Sequence, residues 1–281
     1  MEITEENTVW LNPSHPNYER WRKGRELKSE RAVIAGKIIS AHKVCTNLDI
    51  LDLGSGEGGT SSYFSGNNNV ISYDLSLFRL KRQRHTDNKF KIVNGNAQFL
   101  PFRNSFFDLI ILQDAIEHIN INGSLISELK RVIKDDGLIY ISTPNRHSIL
   151  NIISDPHWGI PFLSLFRRNS IKKYFLRLFR KEDLCRDDIA ELLSLKELFG
   201  LFKHFRIILN TKEIIGLLSE SYNGILWSNF HTTLLNLLNK SGLIFILKAL
   251  ANNKTGFINN YLTPTFYLIL IPPLTIKATN E

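Results

Sequence analysis

The chain is poor in cysteine: it has two in 281 residues, Cys45 and Cys185, far apart and in no ligand spacing. That excludes a disulfide framework, points to a reducing compartment and leaves both thiols as buried packing residues. Acid is missing over long stretches. None lies between Pro156 and Lys181, where Arg167, Arg168, Lys172, Lys173, Arg177, Arg180 and Lys181 fall, and none between Glu220 and Glu281. The net charge of +8 is therefore uneven, and it favours anionic partners: phosphates, nucleic acid or an anionic membrane surface. Long apolar runs are missing too. Ser221–Asn239 is uncharged but rich in Ser, Asn, Thr and His, and Thr255–Ile276 is interrupted by Asn259, Asn260, Pro264 and Pro272-Pro273. A span needs roughly 20 predominantly apolar residues, so no transmembrane helix is expected. The acidic stretch Met1–Glu6 has no apolar run, which predicts no secretory signal and a cytoplasmic protein, with contact at the inner face of a membrane as its one expected excursion.

What is present is an alternation of strand and helix signals. The length suits one large domain, or a domain with an elaborated cap. Apolar spacing predicts a helix from about Tyr18 to Val44. Strands are expected at Leu48–Leu53, Val70–Tyr73, Phe90–Val93, Phe107–Leu112 and Gly137–Ser142, with amphipathic helices at Ser76–His85 and Ser124–Ile133. Near-continuous apolar strands separated by helices indicate a parallel sheet covered on both faces, and right-handed crossovers make it doubly wound. After Pro144 the rhythm stops. A basic, aromatic insert runs from Asn145 to about Leu198. Strands follow at Phe205–Leu209 and Thr265–Ile271, with helices expected between about Glu213 and Leu262. The expected fold is α/β: a Rossmann-like, doubly wound, seven-stranded and mostly parallel sheet, with a helical insert over the substrate side. Its expected divisions are 1–145 (N-terminal helix and nucleotide-type core), 146–204 (basic helical insert) and 205–281 (the remaining strands with a helical insertion, within the same domain).

The segment Asp52-Leu53-Gly54-Ser55-Gly56-Glu57-Gly58 closes the first strand. Its glycines permit positive φ and close backbone approach to a ligand. Gly54-x-Gly56-x-x-Gly59 also fits the dinucleotide fingerprint, and Asp74, about 20 residues on, stands where an acid accepts bonds from ribose hydroxyls. Nicotinamide dinucleotides and S-adenosylmethionine (SAM) both use such an acid. Four features favour SAM. A pyrophosphate loop has little use for Asp52, whereas a cofactor carrying an ammonium and a sulfonium does. Gly95-Asn96-Ala97 follows the third strand, where a polar side chain can read an adenine edge, and Gln98-Phe99-Leu100-Pro101-Phe102 comes next. The fourth strand ends in Gln113-Asp114-Ala115-Ile116-Glu117-His118. No Tyr-x-x-x-Lys pair of the dehydrogenase kind occurs.

On these residues the chain resembles the class I SAM-dependent methyltransferases, in the branch of ubiquinone-type O-methyltransferases and small-molecule or glycan-modifying enzymes. The resemblance covers about Leu48 to Asn145, and Thr265–Ile271 fits the family's antiparallel strand seven. It implies that Asp52, Gly54, Ser55 and Gly56 line the methionine end of SAM, that Asp74 binds the ribose with Leu75 beside the adenine, that Asn96 and Ala97 contact adenine, and that Gln113 lies near the methionine carboxylate or the reacting methyl. The family usually has Asp where this chain has Asn96, and an amide oxygen can still accept from the adenine amino group.

Methyl transfer from a sulfonium is an in-line displacement that mainly needs alignment in a dry pocket. A hydroxyl acceptor also needs a base, and histidine suits neutral pH. His118, after strand four, is one candidate, with Glu117 able to orient it only if the two side chains converge. A second cluster is His147, Asp155, His157 and Trp158, in which His157 is a candidate base and Trp158 a stacking wall; a loop that packs Trp158 into the insert's own core is the plainer alternative. No metal is expected from these histidines, since their spacing matches no ligand pattern. Phe162, Leu165, Phe166, Ile171, Tyr174, Phe175 and Leu178 lie at helical spacing among cations, which fits either a lid helix packed on the sheet body or a membrane-surface helix. The expected activity is SAM-dependent methyl transfer to a small-molecule, glycan or lipid-linked acceptor. A catalytically silent module at an anionic membrane and an RNA methyltransferase are the alternatives, and the oligomeric state is open.

Overall fold

The apolar run Leu109–Leu112 is wholly buried in the computed structural model, because successive side chains of a strand point to opposite faces. Leu109 and Ile111 join one core with Ile38, Ile39, Ile50 and Tyr140, while Ile110 and Leu112 join the other with Leu51, Leu53, Phe202 and Phe266. The structure describes residues 9–83, 89–121, 123–186, 188–218 and 229–273.

The seven strands are β1 (Asp49–Leu53), β2 (Asn69–Asp74), β3 (Lys91–Asn94), β4 (Phe107–Gln113), β5 (Ile133–Pro144), β6 (Arg206–Leu209) and β7 (Thr265–Ile271). Their order across the sheet is β3-β2-β1-β4-β5-β7-β6. β1 to β5 pair in parallel, and β7 runs antiparallel to both β5 and β6. The expected mostly parallel, doubly wound sheet is therefore the observed one. β5 starts earlier than its apolar run suggests: Ile133 pairs with Phe107, the register then shifts, and Leu138 pairs with Leu109. The turn Asp135-Asp136-Gly137 is thus an irregularity within the strand rather than a turn before it.

The helices are α1 (Tyr18–Glu26), α2 (Lys28–Ser40), α3 (Gly59–Phe64), α4 (Leu77–Gln83), α5 (Gly123–Val132), α6 (Ile149–Ile153), α7 (Arg168–Ser170), α8 (Arg177–Phe179), α9 (Leu195–Leu201), α10 (Thr211–Leu218), α11 (Asn229–Lys240) and α12 (Ile244–Leu250). The single helix expected from about Tyr18 to Val44 is corrected to two, broken at Leu27 and ending at Ser40. The reason is packing. α1 buries none of its side chains, whereas α2 buries Ala32, Ile34, Ala35, Ile38 and Ile39 against the sheet. Arg84 and His85, at the end of the expected helix Ser76–His85, lie outside the described residues, as does part of the expected helical stretch 213–262.

The insert builds its own small core from Trp158, Leu163, Ile171, Leu176 and Ile189. A π turn, Ile171–Leu176, joins α7 to α8. The lid expectation is corrected on two counts: Ile171 and Leu176 face this local core rather than the sheet, and Tyr174, Leu178 and Phe179 are exposed. Part of the basic excess is neutralised locally, since Arg167 pairs with Glu191 and Glu197, both at 2.8 Å. The cysteines also depart from expectation, Cys45 being half-buried and Cys185 exposed. No single helix among the described residues is long and apolar enough to cross a membrane; Thr232–Lys240 and Ile244–Leu250 reach that length only together, and they are bent by 104°.

Candidate cofactor and acceptor site

The glycine loop follows directly from β1. Gly54, Gly56 and Gly58 have φ of 76°, 54° and 75°, a region L side chains seldom adopt. Gly54 is required twice over, because a Cβ there would stand 2.6 Å from the Ala115 Cβ. Asp74, at the end of β2, fixes the loop: its Oδ2 accepts the Gly56 N–H at 2.8 Å and its Oδ1 the Ser76 N–H at 2.7 Å. Ser55 turns its hydroxyl into the scaffold, accepting from Ser72 at 2.7 Å and from the Gln83 amide at 3.2 Å.

Asp52 is 2% exposed and accepts from the Ser61 hydroxyl at 2.5 Å. Burial pushes its carboxyl up to about 7; the Ser61 hydrogen bond works the other way and Asp74 adds repulsion. No lysine or arginine pairs with Asp52 among the described residues. A desolvated carboxylate without a cation is costly, and this one borders a cavity.

Two adjoining cavities lie at the carboxyl ends of the strands. The first, of about 260 Å³, is bordered by Asp52, Gly56, Thr60, Gln113, Glu117 and His157, with Arg20 of α1 and Lys28 and Arg31 of α2. The second, of about 410 Å³, is bordered by Asp74, Leu75, Asn96 and Ala97; Gly54, Asp114 and His118 border both. In the second, Gly95 has no room for a side chain, since a Cβ would lie 2.1 Å from the Tyr73 hydroxyl. Asn96 is exposed, and its Oδ1 already accepts the Gln98 N–H at 2.9 Å, a turn-forming bond that leaves the oxygen one lone pair. Leu75 is 69% exposed, an apolar side chain held at the rim.

Gln113 is locked on the wall of the first cavity. Its Oε1 accepts from Thr60 at 2.6 Å and its Nε2 donates to the Arg31 carbonyl at 2.8 Å. Asp114 adopts φ of 48°, its carboxylate pairs with Arg31, and its other oxygen accepts from the Ser142 hydroxyl at 2.8 Å.

The structure brings His118 and His157 together, with ring centroids 5.1 Å apart and nearly perpendicular. His118 Nδ1 lies 2.6 Å from the Asp188 carbonyl. A carbonyl only accepts, so Nδ1 carries the proton and Nε2 keeps its lone pair. Burial lowers both imidazoles, His157 well below its ordinary range, where His118 adds repulsion. Asp155 shapes the loop carrying His157 by accepting the His157 and Trp158 N–H groups at 2.8 and 2.7 Å. Glu117 does not orient His118. It is fully buried, its Oε2 accepts from Thr143 at 2.9 Å, and its Oε1 stands 3.9 Å from His157 Nε2. Trp158 packs edge-on to Phe175 in the insert's core, the plainer of the two expectations, and it also borders the first cavity. His147 borders neither cavity.

Residues 51–141, about a third of the chain, match the family model described as a methyltransferase domain. The sheet order together with this match gives the chain a Rossmann-like, class I methyltransferase fold. An uncharacterised protein of Methanocaldococcus jannaschii is 36% identical over 107 residues, 38% of this chain and 41% of that protein. The sarcosine/dimethylglycine N-methyltransferase of Aphanothece halophytica is 29% identical over 103 residues, 34% of this chain and 37% of that enzyme. The chain spans about two fifths of the length of these curated relatives. In fold, the domain is similar to the SAM complex of phosphoethanolamine N-methyltransferase 2 from Haemonchus contortus: TM-score 0.53 at 15% identity, covering 97% of this chain and 60% of that one. These similarities do not single out the ubiquinone-type branch.

Around the two cavities stand residues that the sequence pattern had not marked. Arg20 donates to the Asp155 and Pro156 carbonyls at 3.3 and 3.1 Å, tying α1 to the His157 loop. Arg186, 8% exposed, pairs with Asp183 and Asp188, both at 2.8 Å, and lies over Trp21. Partial desolvation works the other way, but Arg186 and Arg79 hold the half-buried Asp188 well below the usual carboxylate range. One signal could have found this group: Glu182, Asp183, Asp187 and Asp188 crowd together just after the long acid-free stretch.

Proposed function

We propose that this chain moves the methyl group of SAM to a hydroxyl of a small-molecule, glycan or lipid-linked acceptor. The observation that carries this reading is Asp52: a buried carboxylate with no cation partner among the described residues, at the head of a glycine loop and on the wall of a cavity. An α-ammonium answers that charge, and a pyrophosphate would aggravate it. Asp52 and the Gly54–Ser55–Gly56 backbone would hold the amino-acid end, Asp74 the ribose, Leu75, Asn96 and Ala97 the adenine, and Gln113 the region of the methionine carboxylate. When bound, SAM supplies an electrophilic methyl on a sulfonium. The chain's own work is to align the acceptor and keep the site dry. His118 and His157 would take the hydroxyl proton, a reading supported by their meeting at the cavity wall and by the burial that favours their neutral forms.

Asp74→Ala is expected to weaken SAM binding by about 10–100-fold, the value of one or two hydrogen bonds to a charged group, measured by calorimetry. Unchanged affinity would remove the ribose assignment, and no SAM binding by the unaltered protein would remove the whole reading. If neither His118→Ala nor His157→Ala slows single-turnover transfer, both lose their role as bases. The lipid-linked acceptor is supported by the exposed Tyr174, Leu178 and Phe179 beside exposed Lys173, Arg177 and Lys181, an apolar and basic surface suited to peripheral contact with an anionic membrane. Co-sedimentation with anionic vesicles at low salt tests that contact.

A further inference from the structure

Glu117, His118 and His157 are far from ligand spacing in the sequence, yet the fold gathers one donor atom from each within 4.8 Å of one another. Three observations make this more than proximity. Glu117 is fully buried, its Oε2 is held by Thr143, and its Oε1 has no hydrogen-bond partner among the described residues. That oxygen stands 3.9 Å from His157 Nε2, too far for a hydrogen bond but within the span of two ligands each about 2.0–2.2 Å from one zinc-like ion. His118 donates Nδ1–H to the Asp188 carbonyl at 2.6 Å, the outer-shell bond that aims an imidazole's Nε2 lone pair at a metal. All three residues border the first cavity, so further coordination positions would open toward the acceptor.

We propose that Glu117, His118 and His157 bind one divalent transition-metal ion at the acceptor end of the cleft. Two imidazoles and a carboxylate form the donor set of catalytic zinc and of open-faced iron sites. The other grouping of this kind, His15 with Glu182 and Asp183, lacks the open valence: His15 Nε2 meets Asp183 at 3.0 Å, His15 Nδ1 accepts the Asn17 N–H at 3.1 Å, and Arg186 holds the other Asp183 oxygen at 2.8 Å. The ion's role rests on the methyl-transfer reading. An acceptor hydroxyl bound at the open position would lose its proton to solvent water more readily, and the imidazoles would then serve as ligands rather than as bases.

The test separates the two ideas. Full-length protein stripped with chelator is titrated with Zn2+ alone by calorimetry and with Co2+ alone by visible absorption, without SAM; SAM binding is measured on the stripped protein in parallel. One equivalent of each metal is expected, with a tetrahedral or five-coordinate Co2+ spectrum. Glu117→Gln and His157→Gln are each expected to weaken binding by at least about 100-fold, beyond what loss of an outer-shell partner does. Thermal melting of the stripped variants confirms that they fold. No metal uptake, or uptake unchanged in both folded variants, overturns the proposal. SAM binding without metal binding leaves the methyl-transfer reading standing alone, and the reverse result leaves the metal site standing alone. Should both glutamine variants fail to fold, His118→Asn read by the Co2+ spectrum decides: an unaltered spectrum rejects the site.

Discussion

The two ends of the cleft are built differently. At the glycine-loop end, nearly every polar group has a partner within the protein: Asp74 holds two N–H groups, Gln113 is bonded at both its oxygen and its nitrogen, and Ser55 is tied to Ser72 and Gln83. At the histidine end, Glu117 Oε1 and His157 Nδ1 are buried with none. An unmet buried polar atom costs about 1–3 kcal/mol, so the protein tolerates the cost at one end and avoids it at the other. Asp52 is the exception within the satisfied end: its carboxylate meets a hydroxyl but no cation among the described residues, and like Glu117 and His157 it borders the first cavity.

The largest expected effect breaks the well-satisfied end. Gly54→Val would force a branched side chain to φ of 76° and drive it against Ala115. The conformational and overpacking terms together come to about 2–5 kcal/mol, read as a lowered melting temperature with SAM binding lost. A variant that melts and binds like the unaltered protein would mean that the loop is not held as described. Asp52→Asn sharpens the comparison. The folded carboxyl is raised from 3.8 to about 7, so between those values the folded state holds the proton more tightly than the unfolded state does. The contribution of this carboxyl to stability without SAM should then be fullest at low pH, fall as pH rises from about 4 to 7, and level off above, by at most about 4 kcal/mol. Asparagine removes that slope, so its melting advantage should grow between pH 5 and pH 8 while SAM affinity falls; parallel melting curves would reject the assignment. The smallest effect is expected from His147→Ala. His147 borders neither cavity, and single-turnover rates should stay within about twofold, below 0.5 kcal/mol.

The sheet was legible because its strands are continuous apolar runs, and Leu109–Leu112 could hardly be anything else. Asp52, Asp74 and the glycines were legible because positive φ and a stray acid leave marks in a sequence. The break at Leu27 was not, since nothing in the local preference of Glu26-Leu27-Lys28 stops a helix; it occurs where the apolar face of α2 begins. His118 and His157 could each be named, but not their meeting, which depends on Asp155 and Arg20 folding the insert's loop back over β5. Glu117 could be seen not to face His118 from helical geometry, while its approach to His157 required the tertiary structure. The exposed face of 171–179 was misjudged because helical spacing gives a stripe and not the surface that it meets.

β7 lies between β5 and β6 but follows both in sequence. During synthesis the apolar stretch Ile207-Ile208-Leu209 of β6 therefore waits for its hydrogen-bonding neighbour while the intervening helices are made, a delay of several seconds at about 5–20 residues per second. Throughout that interval its backbone is an open template for other chains, so the yield of active protein should depend on the ribosome's pace and on holding factors more than the finished molecule's stability would suggest.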